Sequence, residues 1–185
     1  MAKVKLKMRM KFSSPKNMSI YSKEVIKHFK TPQNVGKLKN PDALGRAGNL
    51  KCGDIMYLYI KIGKNPRGEE IIKDIKFETY GCAIAIANTS LLTTMVKGKT
   101  LQEAQKVTKD DLVKRFGEVP LVKIHCSLLA VDALTEAIYD YLKKQGKDIS
   151  PELQVKHERI QKEAEEIEHH HAGLVELEEN LHKNN

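Results

Sequence analysis

Hydrophobic and polar residues alternate along two neighbouring stretches in the middle of the chain. The first covers residues 55–62 and the second residues 71–80, and the turn-forming sequence KNPRGEE lies between them. Alternation places every second side chain on one face, so we expect the two stretches to pair as an antiparallel hairpin. After Gly81 the apolar residues instead recur every three or four positions, which predicts a helix that ends near Gly98.

Another helical pattern lies before this hairpin. A short helix is predicted to end near Pro32, with Val25, Ile26 and Phe29 on its apolar side. The residues that follow it, 31–53, are rich in Asn, Gly and Pro, and we expect them to form a long loop of functional importance.

Three later helices have start signals in the sequence. Thr100 and Glu103 form the pattern of a capping box, and Asp110 with Asp111 suits the first turn of the next helix. Ser127 is the predicted N-cap of a longer helix. The broad apolar stripe of that helix consists of Leu129, Ala133, Leu134, Ala137, Ile138, Tyr141 and Leu142.

A highly charged segment ends the chain. Ser150 can cap a helix that has Pro151 in its first turn. Its apolar residues recur at intervals of seven and are Leu153, Ile160, Ile167, Leu174 and Leu181. Because the companion heptad positions are mostly polar, we expect this helix to pack on its own domain or to fray, rather than to form a coiled coil.

Charge is distributed unevenly along the 185 residues. Residues 1–17 carry six basic and no acidic side chains, whereas residues 151–185 carry four basic and nine acidic ones. We therefore divide the chain into a basic N-terminal extension (1–17), a compact domain (18–147) and a charged helical C-terminal extension (148–185). The net charge of +8 comes without a nucleic-acid-binding motif, a membrane span or a secretory signal. We expect a cytoplasmic protein that binds neither nucleic acid nor membrane.

Three cysteines are the first candidates for chemistry. Cys52, Cys82 and Cys126 are too few and too widely spaced for a disulfide framework, which fits a reducing compartment. Each lies at a predicted element boundary, and Cys82 and Cys126 fall at helix N-termini, where the helix dipole favours a reactive thiolate. Asp54 follows Cys52 closely and His125 precedes Cys126, which adds a carboxylate and an imidazole to the sulfurs. The spacing does not match zinc fingers, and incidental buried thiols are the alternative interpretation.

Four stretches of the sequence carry a resemblance to a known family. They are CGDIMYLYIKI, FETYGCAIAIANTSLL, VKGKTLQEAQ and VPLVKIHCSLLAVDALTEAI. Over about residues 19–145 the chain closely resembles the IscU-type iron–sulfur cluster assembly scaffolds, which are related to the N-terminal domain of NifU. The resemblance implies an α+β fold in which a small antiparallel β-sheet has helices packed on one face. To this fold the chain would add its extra C-terminal helix.

The resemblance also implies a function and a site. Such scaffolds accept persulfide sulfur from a cysteine desulfurase, assemble a transient [2Fe–2S] cluster with iron and transfer it to apo-proteins, so they are not enzymes in the usual sense. The family's cluster-site positions fall on Cys52, Asp54, Cys82, His125 and Cys126. We expect Cys126 to accept the persulfide sulfur, supported by Lys123 and His125. The three cysteines would be firm ligands, and we prefer Asp54 to His125 as the labile fourth ligand.

Partners and alternatives follow from the same comparison. We expect a cysteine desulfurase of the IscS/NifS type and apo iron–sulfur proteins as partners, with a homodimer as a further possibility. The family usually has two adjacent prolines where this chain has Pro120 and Leu121, which argues against recognition by its Hsp70-type chaperone. Two alternatives use the same residues to hold zinc, namely a structural zinc-binding module and a SufU-like sulfurtransferase. Zinc could also occupy the cluster-free scaffold, and His125 favours the scaffold over SufU-like proteins.

Overall fold

The computed structural model describes residues 21–49, 53–117 and 125–166, with the backbone alone for Asn49 and His125. In chain order the elements are α1 (Lys23–Lys30), β1 (Ala43–Asn49), β2 (Asp54–Lys64), β3 (Glu70–Tyr80), α2 (Ala83–Val96), α3 (Leu101–Gln105), α4 (Lys109–Phe116) and α5 (His125–Lys144). A further helix, α6, covers residues 151–166. Among the described residues, none of the helices has the length and hydrophobicity needed to span a lipid bilayer.

The sheet has three antiparallel strands in the order β1-β2-β3. The predicted hairpin is confirmed, because β2 pairs with β3 from Ile55 opposite Tyr80 onward. Along β2 the fully buried apolar side chains alternate with partly exposed ones. These buried residues are Met56, Leu58 and Ile60. One face of the sheet therefore carries the core, and α2 and α5 pack against that face, which confirms the predicted α+β fold class.

Strand β1 lies inside the segment predicted to be a loop, so that prediction is wrong for Ala43–Asn49. The sequence ALGRAGN has no β-branched or aromatic residue, and for this reason it carries no strand signal. Small residues are needed here because α5 packs directly on the strand. A Cβ atom at Gly45 would lie 1.9 Å from the Ala133 carbonyl oxygen and 2.5 Å from the Ala137 nitrogen.

The two short helices begin where the sequence predicts, and the second also ends there. Thr100 and Glu103 form a complete capping box at the start of α3. Helix α4 also has a capping box, which Thr108 forms with Asp111. It ends at Gly117, whose φ of 73° lies in the left-handed region that glycine adopts without a Cβ penalty.

The start of α5 differs from the prediction. The helix begins at His125, so Ser127 lies inside its first turn and is not the N-cap. Ser127 is fully buried and donates its hydroxyl to Asn88 Oδ1 of α2 at 3.1 Å. Cys126 is consequently part of the first turn and does not precede the helix.

Helix α1 buries a polar residue where an aromatic one was expected. Phe29 is 44% exposed, so the prediction that it faces the core is wrong, whereas Val25 and His28 are buried. Nδ1 of His28 lies 2.7 Å from Ser90 Oγ of α2. Burial lowers the pKa of His28, which keeps the enclosed ring neutral.

Helix α6 packs along the outer side of α5. Its predicted start is confirmed, because Ser150 Oγ accepts a hydrogen bond from the Leu153 amide at 3.3 Å. Leu153 and Ile160, which belong to the predicted apolar series, are each 3% exposed. The ring of His157 stacks on Tyr139 of α5 with 3.6 Å between the ring centroids. In the described residues this helix therefore packs on its own domain.

Two buried carboxylates of α5 hold the same interface. Asp132 accepts a hydrogen bond from the Arg159 guanidinium, and Glu136 accepts one from Gln161 and lies 3.0 Å from Nδ1 of His157. Each carboxylate residue is only 6% exposed. Burial raises the pKa of Asp132 to about 6 against the opposing effect of Arg159, and it also raises the pKa of Glu136.

The substitution Gly45→Ala is expected to destabilise the fold by about 3 kcal/mol, because the new methyl group would overlap the backbone of α5. Urea unfolding measures this loss. Leu44→Ala is the matched control on the same strand, since Leu44 is 40% exposed and should cost less than about 1 kcal/mol. Equal losses in the two variants would contradict the close contact between β1 and α5.

The substitution Asp132→Asn is expected to change how stability depends on pH. Because burial raises the Asp132 pKa from 3.8 to about 6, the folded protein keeps a proton that the unfolded chain releases. The stability that this group contributes is therefore complete below about pH 4 and is lost as the pH rises through about 6. Relative to wild type, the unfolding free energy of the variant should rise by about 2 kcal/mol between these limits. Parallel pH profiles of the two proteins would refute the assignment.

Candidate functional site

The site forms where the ends of three elements meet. Asp54 is the first residue of β2, Cys82 is the N-cap of α2, and Cys126 lies in the first turn of α5. The hairpin explains the first pairing, because Ile55 lies opposite Tyr80 and so brings Asp54 beside the turn that leads into α2. The packing of α5 against α2 and the sheet adds Cys126.

The three side chains converge on a small volume. Their possible ligand atoms all lie within 4.8 Å of one another. Sγ of Cys82 is 3.6 Å from Sγ of Cys126, and the Cys126 thiol donates to Oδ2 of Asp54 at 3.8 Å. The backbone N–H of Cys82 donates to the same carboxylate oxygen at 3.4 Å, which holds the carboxylate toward the sulfurs.

These distances suit a tetrahedral metal centre. Two thiolates bound to one tetrahedral ion at about 2.3 Å would lie about 3.8 Å apart. The two sulfurs are 3.6 Å apart, and the carboxylate oxygen lies at a similar distance from Cys126. Asp54, Cys82 and Cys126 can therefore occupy three corners of one coordination tetrahedron with little movement. Sulfur donors of this kind suit zinc and iron–sulfur units.

Of the three described side chains of the site, Cys82 is the one that is partly exposed. Asp54 is 5% exposed and Cys126 is fully buried, whereas Cys82 is partly exposed. The Cys82 thiol makes no capping hydrogen bond to the described amides of α2. Solvent or a partner therefore reaches the group past Cys82, with Cys126 behind it.

Two glycines shape the loops around Asp54. Gly53 has a φ of 68°, a left-handed conformation that glycine adopts easily, and it turns the chain just before Asp54. At Gly81 an added Cβ would lie 3.0 Å from Asp54 Cγ and 3.1 Å from the Cβ of Ala85. This role of Gly81 is not visible in the sequence, because it depends on the strand pairing that brings Asp54 next to it.

Part of the predicted site lies outside the described residues. Cys52 and Lys123 belong to the undescribed segments. Of His125 only the backbone is described, at the first position of α5. The structure thus brings together Asp54, Cys82 and Cys126, and the placement of the other expected ligands stays a prediction.

A family model also matches most of the chain. The model of the NifU-like N-terminal domain matches residues 20–148. Because the match covers more than half of the chain, the chain belongs to this family. The resemblance found in the four sequence stretches is thereby confirmed.

Named relatives extend this result. An iron–sulfur cluster assembly scaffold protein IscU of Archaeoglobus fulgidus is 47% identical over 152 residues, which cover 82% of this chain and 96% of the relative. The protein of the same name from Escherichia coli is 48% identical over 128 residues, covering 68% of this chain and 96% of the relative. The match to the archaeal relative is thus the longer of the two.

Solved structures share the fold. A SufU scaffold protein for the SUF system from Fervidobacterium islandicum aligns with a TM-score of 0.53 and 26% identity, covering 64% of this chain and 96% of that one. A NifU-like N-terminal domain from Brucella abortus aligns with a TM-score of 0.57 and 22% identity, covering 68% and 96%. The second likeness supports the fold alone.

The substitution Gly81→Ala is expected to weaken metal binding about tenfold, since its methyl group would push the Asp54 carboxylate away from the sulfurs. Titration with cobalt(II) measures this effect through the thiolate charge-transfer absorption. Tyr80→Ala is the control, because Tyr80 is the neighbouring residue and its side chain is 76% exposed. If both variants bind cobalt as wild type does, Gly81 has no role in shaping the site.

Proposed function

We propose that this chain is a scaffold on which a [2Fe–2S] cluster is assembled as cargo and from which it passes to apo-proteins. The observation that carries the proposal is the convergence of Asp54, Cys82 and Cys126, with the two sulfurs 3.6 Å apart. Relatives that are 45–48% identical and bear the name of IscU scaffolds support the same function. In this role the chain binds the cluster and passes it on, and it is not an enzyme.

The ligand set suits temporary binding. Cys52, Cys82 and Cys126 would supply thiolates, which bind iron firmly. Asp54 would supply a hard carboxylate as the fourth ligand, and this link should break most easily when the cluster leaves. His125 is the competing fourth ligand. Zinc or iron could occupy the same donors before a cluster is built.

Sulfur would arrive as a persulfide from a cysteine desulfurase of the IscS/NifS type. We assign Cys126 as the acceptor, with Lys123 and His125 in support through their positive or hydrogen-bonding groups. Cys126 is buried behind Cys82, so the donor has to approach from the side on which Cys82 is exposed. The acceptor proteins would approach from the same side.

The proposal gives the remaining segments no part in the chemistry. The compact domain would be residues 18–147, flanked by the basic extension 1–17 and the charged helical extension 148–185. The family match over residues 20–148 supports this division.

A reducing cytoplasm suits the thiols of the site. A second copy of the chain is a further candidate partner, whereas the Hsp70-type chaperone is not expected as a partner.

One alternative has its own support. The same three side chains suit a tetrahedral zinc ion. Under this alternative the chain would be a zinc-dependent sulfurtransferase or a zinc-binding module. Zinc would give a colourless protein, whereas a [2Fe–2S] cluster absorbs visible light.

The test is anaerobic reconstitution with iron, cysteine and a desulfurase, followed by visible absorption. The wild-type protein is expected to gain the absorption of a [2Fe–2S] cluster and to lose it to a chelator. Asp54→Ala is expected to lose its cluster several-fold more slowly, because the labile carboxylate link is gone and His125 can replace it. His125→Ala is the matched variant and should release its cluster at nearly the wild-type rate.

Two results would contradict these expectations. If Asp54→Ala releases its cluster as fast as wild type and His125→Ala does not, His125 is the fourth ligand. If no visible absorption develops while the protein retains zinc and relays sulfur, the zinc-dependent alternative replaces the scaffold.

A further inference from the structure

The two described thiols of the site lie close enough to react with each other. Cys82 Sγ is 3.6 Å from Cys126 Sγ, near the distance of about 3–3.5 Å from which bond formation begins. We propose that Cys82 is a resolving nucleophile that turns a persulfide sulfur on Cys126 into sulfide. This inference rests on the proposed function, in which Cys126 accepts that sulfur.

Such a step answers a chemical requirement of the cargo. The sulfur of a persulfide is at the sulfane level, whereas the bridging atoms of a [2Fe–2S] cluster are sulfide. Converting the persulfide sulfur into sulfide therefore requires two electrons per sulfur atom. A neighbouring thiol can supply them, because thiol attack on a sulfur–sulfur bond forms a disulfide and expels the other sulfur.

The proposed reaction balances without a further reactant. The Cys82 sulfur attacks Sγ of the Cys126 persulfide and forms a new bond to it. The bond between Cys126 Sγ and the terminal sulfur breaks, and the terminal sulfur leaves with the electron pair. It takes up the proton that the Cys82 thiol loses, so the products are a Cys82–Cys126 disulfide and hydrosulfide. An external thiol or dithiol then returns the pair to its reduced form.

The surroundings favour this internal thiol over an external one. Cys82 Sγ already lies 3.6 Å from Cys126 Sγ, whereas a thiol from solution would first have to be bound and oriented there. The Cys82 thiol makes no capping hydrogen bond to the described amides of α2. Its sulfur lies against the Cys126 sulfur instead.

A buried hydrogen bond between α5 and α2 also helps to hold the two sulfurs in position. Ser127, the residue after Cys126, donates to Asn88 of α2 at 3.1 Å, and both residues are fully buried. This hydrogen bond ties the first turn of α5 to α2, the helix that starts directly after Cys82. The separation of the two sulfurs is thus set by the packing of α2 against α5.

The experiment uses metal-free full-length protein under anaerobic conditions, with inorganic polysulfide as the persulfidating probe. After removal of excess probe, the protein is incubated without reductant, and released sulfide is trapped and counted. Wild type should release about one sulfide per persulfide and gain a disulfide that peptide mass mapping assigns to Cys82 and Cys126. Cys82→Ser should keep the persulfide on Cys126 and release sulfide at least about tenfold more slowly.

Several outcomes would overturn the assignment. Sulfide release from Cys82→Ser at the wild-type rate would do so, as would a disulfide that contains Cys52 in place of Cys82. Migration of the persulfide to Cys82 without sulfide release, or no persulfide on Cys126 in Cys82→Ser, would also reject it. Cys82→Ala serves as the second variant if the serine protein does not fold, which circular dichroism monitors.

A parallel arm separates this step from the proposed function. It replaces polysulfide with cysteine and a desulfurase as the sulfur source. Labelling by polysulfide but not by the desulfurase would reject the proposed donor and leave the Cys82 step supported. Labelling by both sources, with undiminished sulfide from Cys82→Ser, would reject the Cys82 step and leave the scaffold function in place.

Discussion

The direct packing of α5 on β1 is the contact on which the rest of the structure depends. It requires Gly45, because any side chain there would overlap the α5 backbone at Ala133 and Ala137. The same two elements also help to position the site. The end of β1 pairs with the start of β2 at Asn49 opposite Asp54, and the start of α5 carries Cys126. A shift of α5 along the strand would move Cys126 away from Asp54.

Polar contacts fix the rotation of α2 about its axis. This helix is mostly buried and largely apolar, so hydrophobic packing alone specifies its rotation weakly. Ser90 contacts His28 of α1, and Asn88 accepts from Ser127 of α5. Within the described ranges Nδ2 of Asn88 has no hydrogen-bond partner, which is a cost that the helix bears for this contact. Because Cys82 caps the same helix, these contacts also place its sulfur.

The parts of the fold that follow a periodic pattern were predictable from the sequence, and the parts set by close approach were not. The hairpin, α2 and the Thr100 cap depend on local periodicity and capping chemistry, which the sequence shows directly. Strand β1 was missed because its residues are small, which allows α5 to pack closely on the strand. Small residues carry no strand signal.

The candidate site divides in the same way. The chemistry of Asp54, Cys82 and Cys126 was visible as residue types at element boundaries. The supporting role of Gly81 depends on a neighbour 27 positions away in the chain and becomes visible only after folding. The burial of His28 in place of Phe29 also becomes visible only after folding, because it depends on the contact of His28 with Ser90 of α2. The placements of Cys52 and of the His125 side chain stay predictions.

One geometric fact limits the order of events at the site. The pair of sulfurs that would hold metal is the same pair that would form the proposed disulfide, so the two states exclude each other. Under the proposed step, sulfide has to form before both Cys82 and Cys126 bind iron, and the disulfide has to be reduced before they can do so. Iron bound at both thiols would protect them from oxidation, whereas the metal-free scaffold would be open to it. The supply of reducing thiols, in addition to that of iron, would then determine how often the scaffold can be used again.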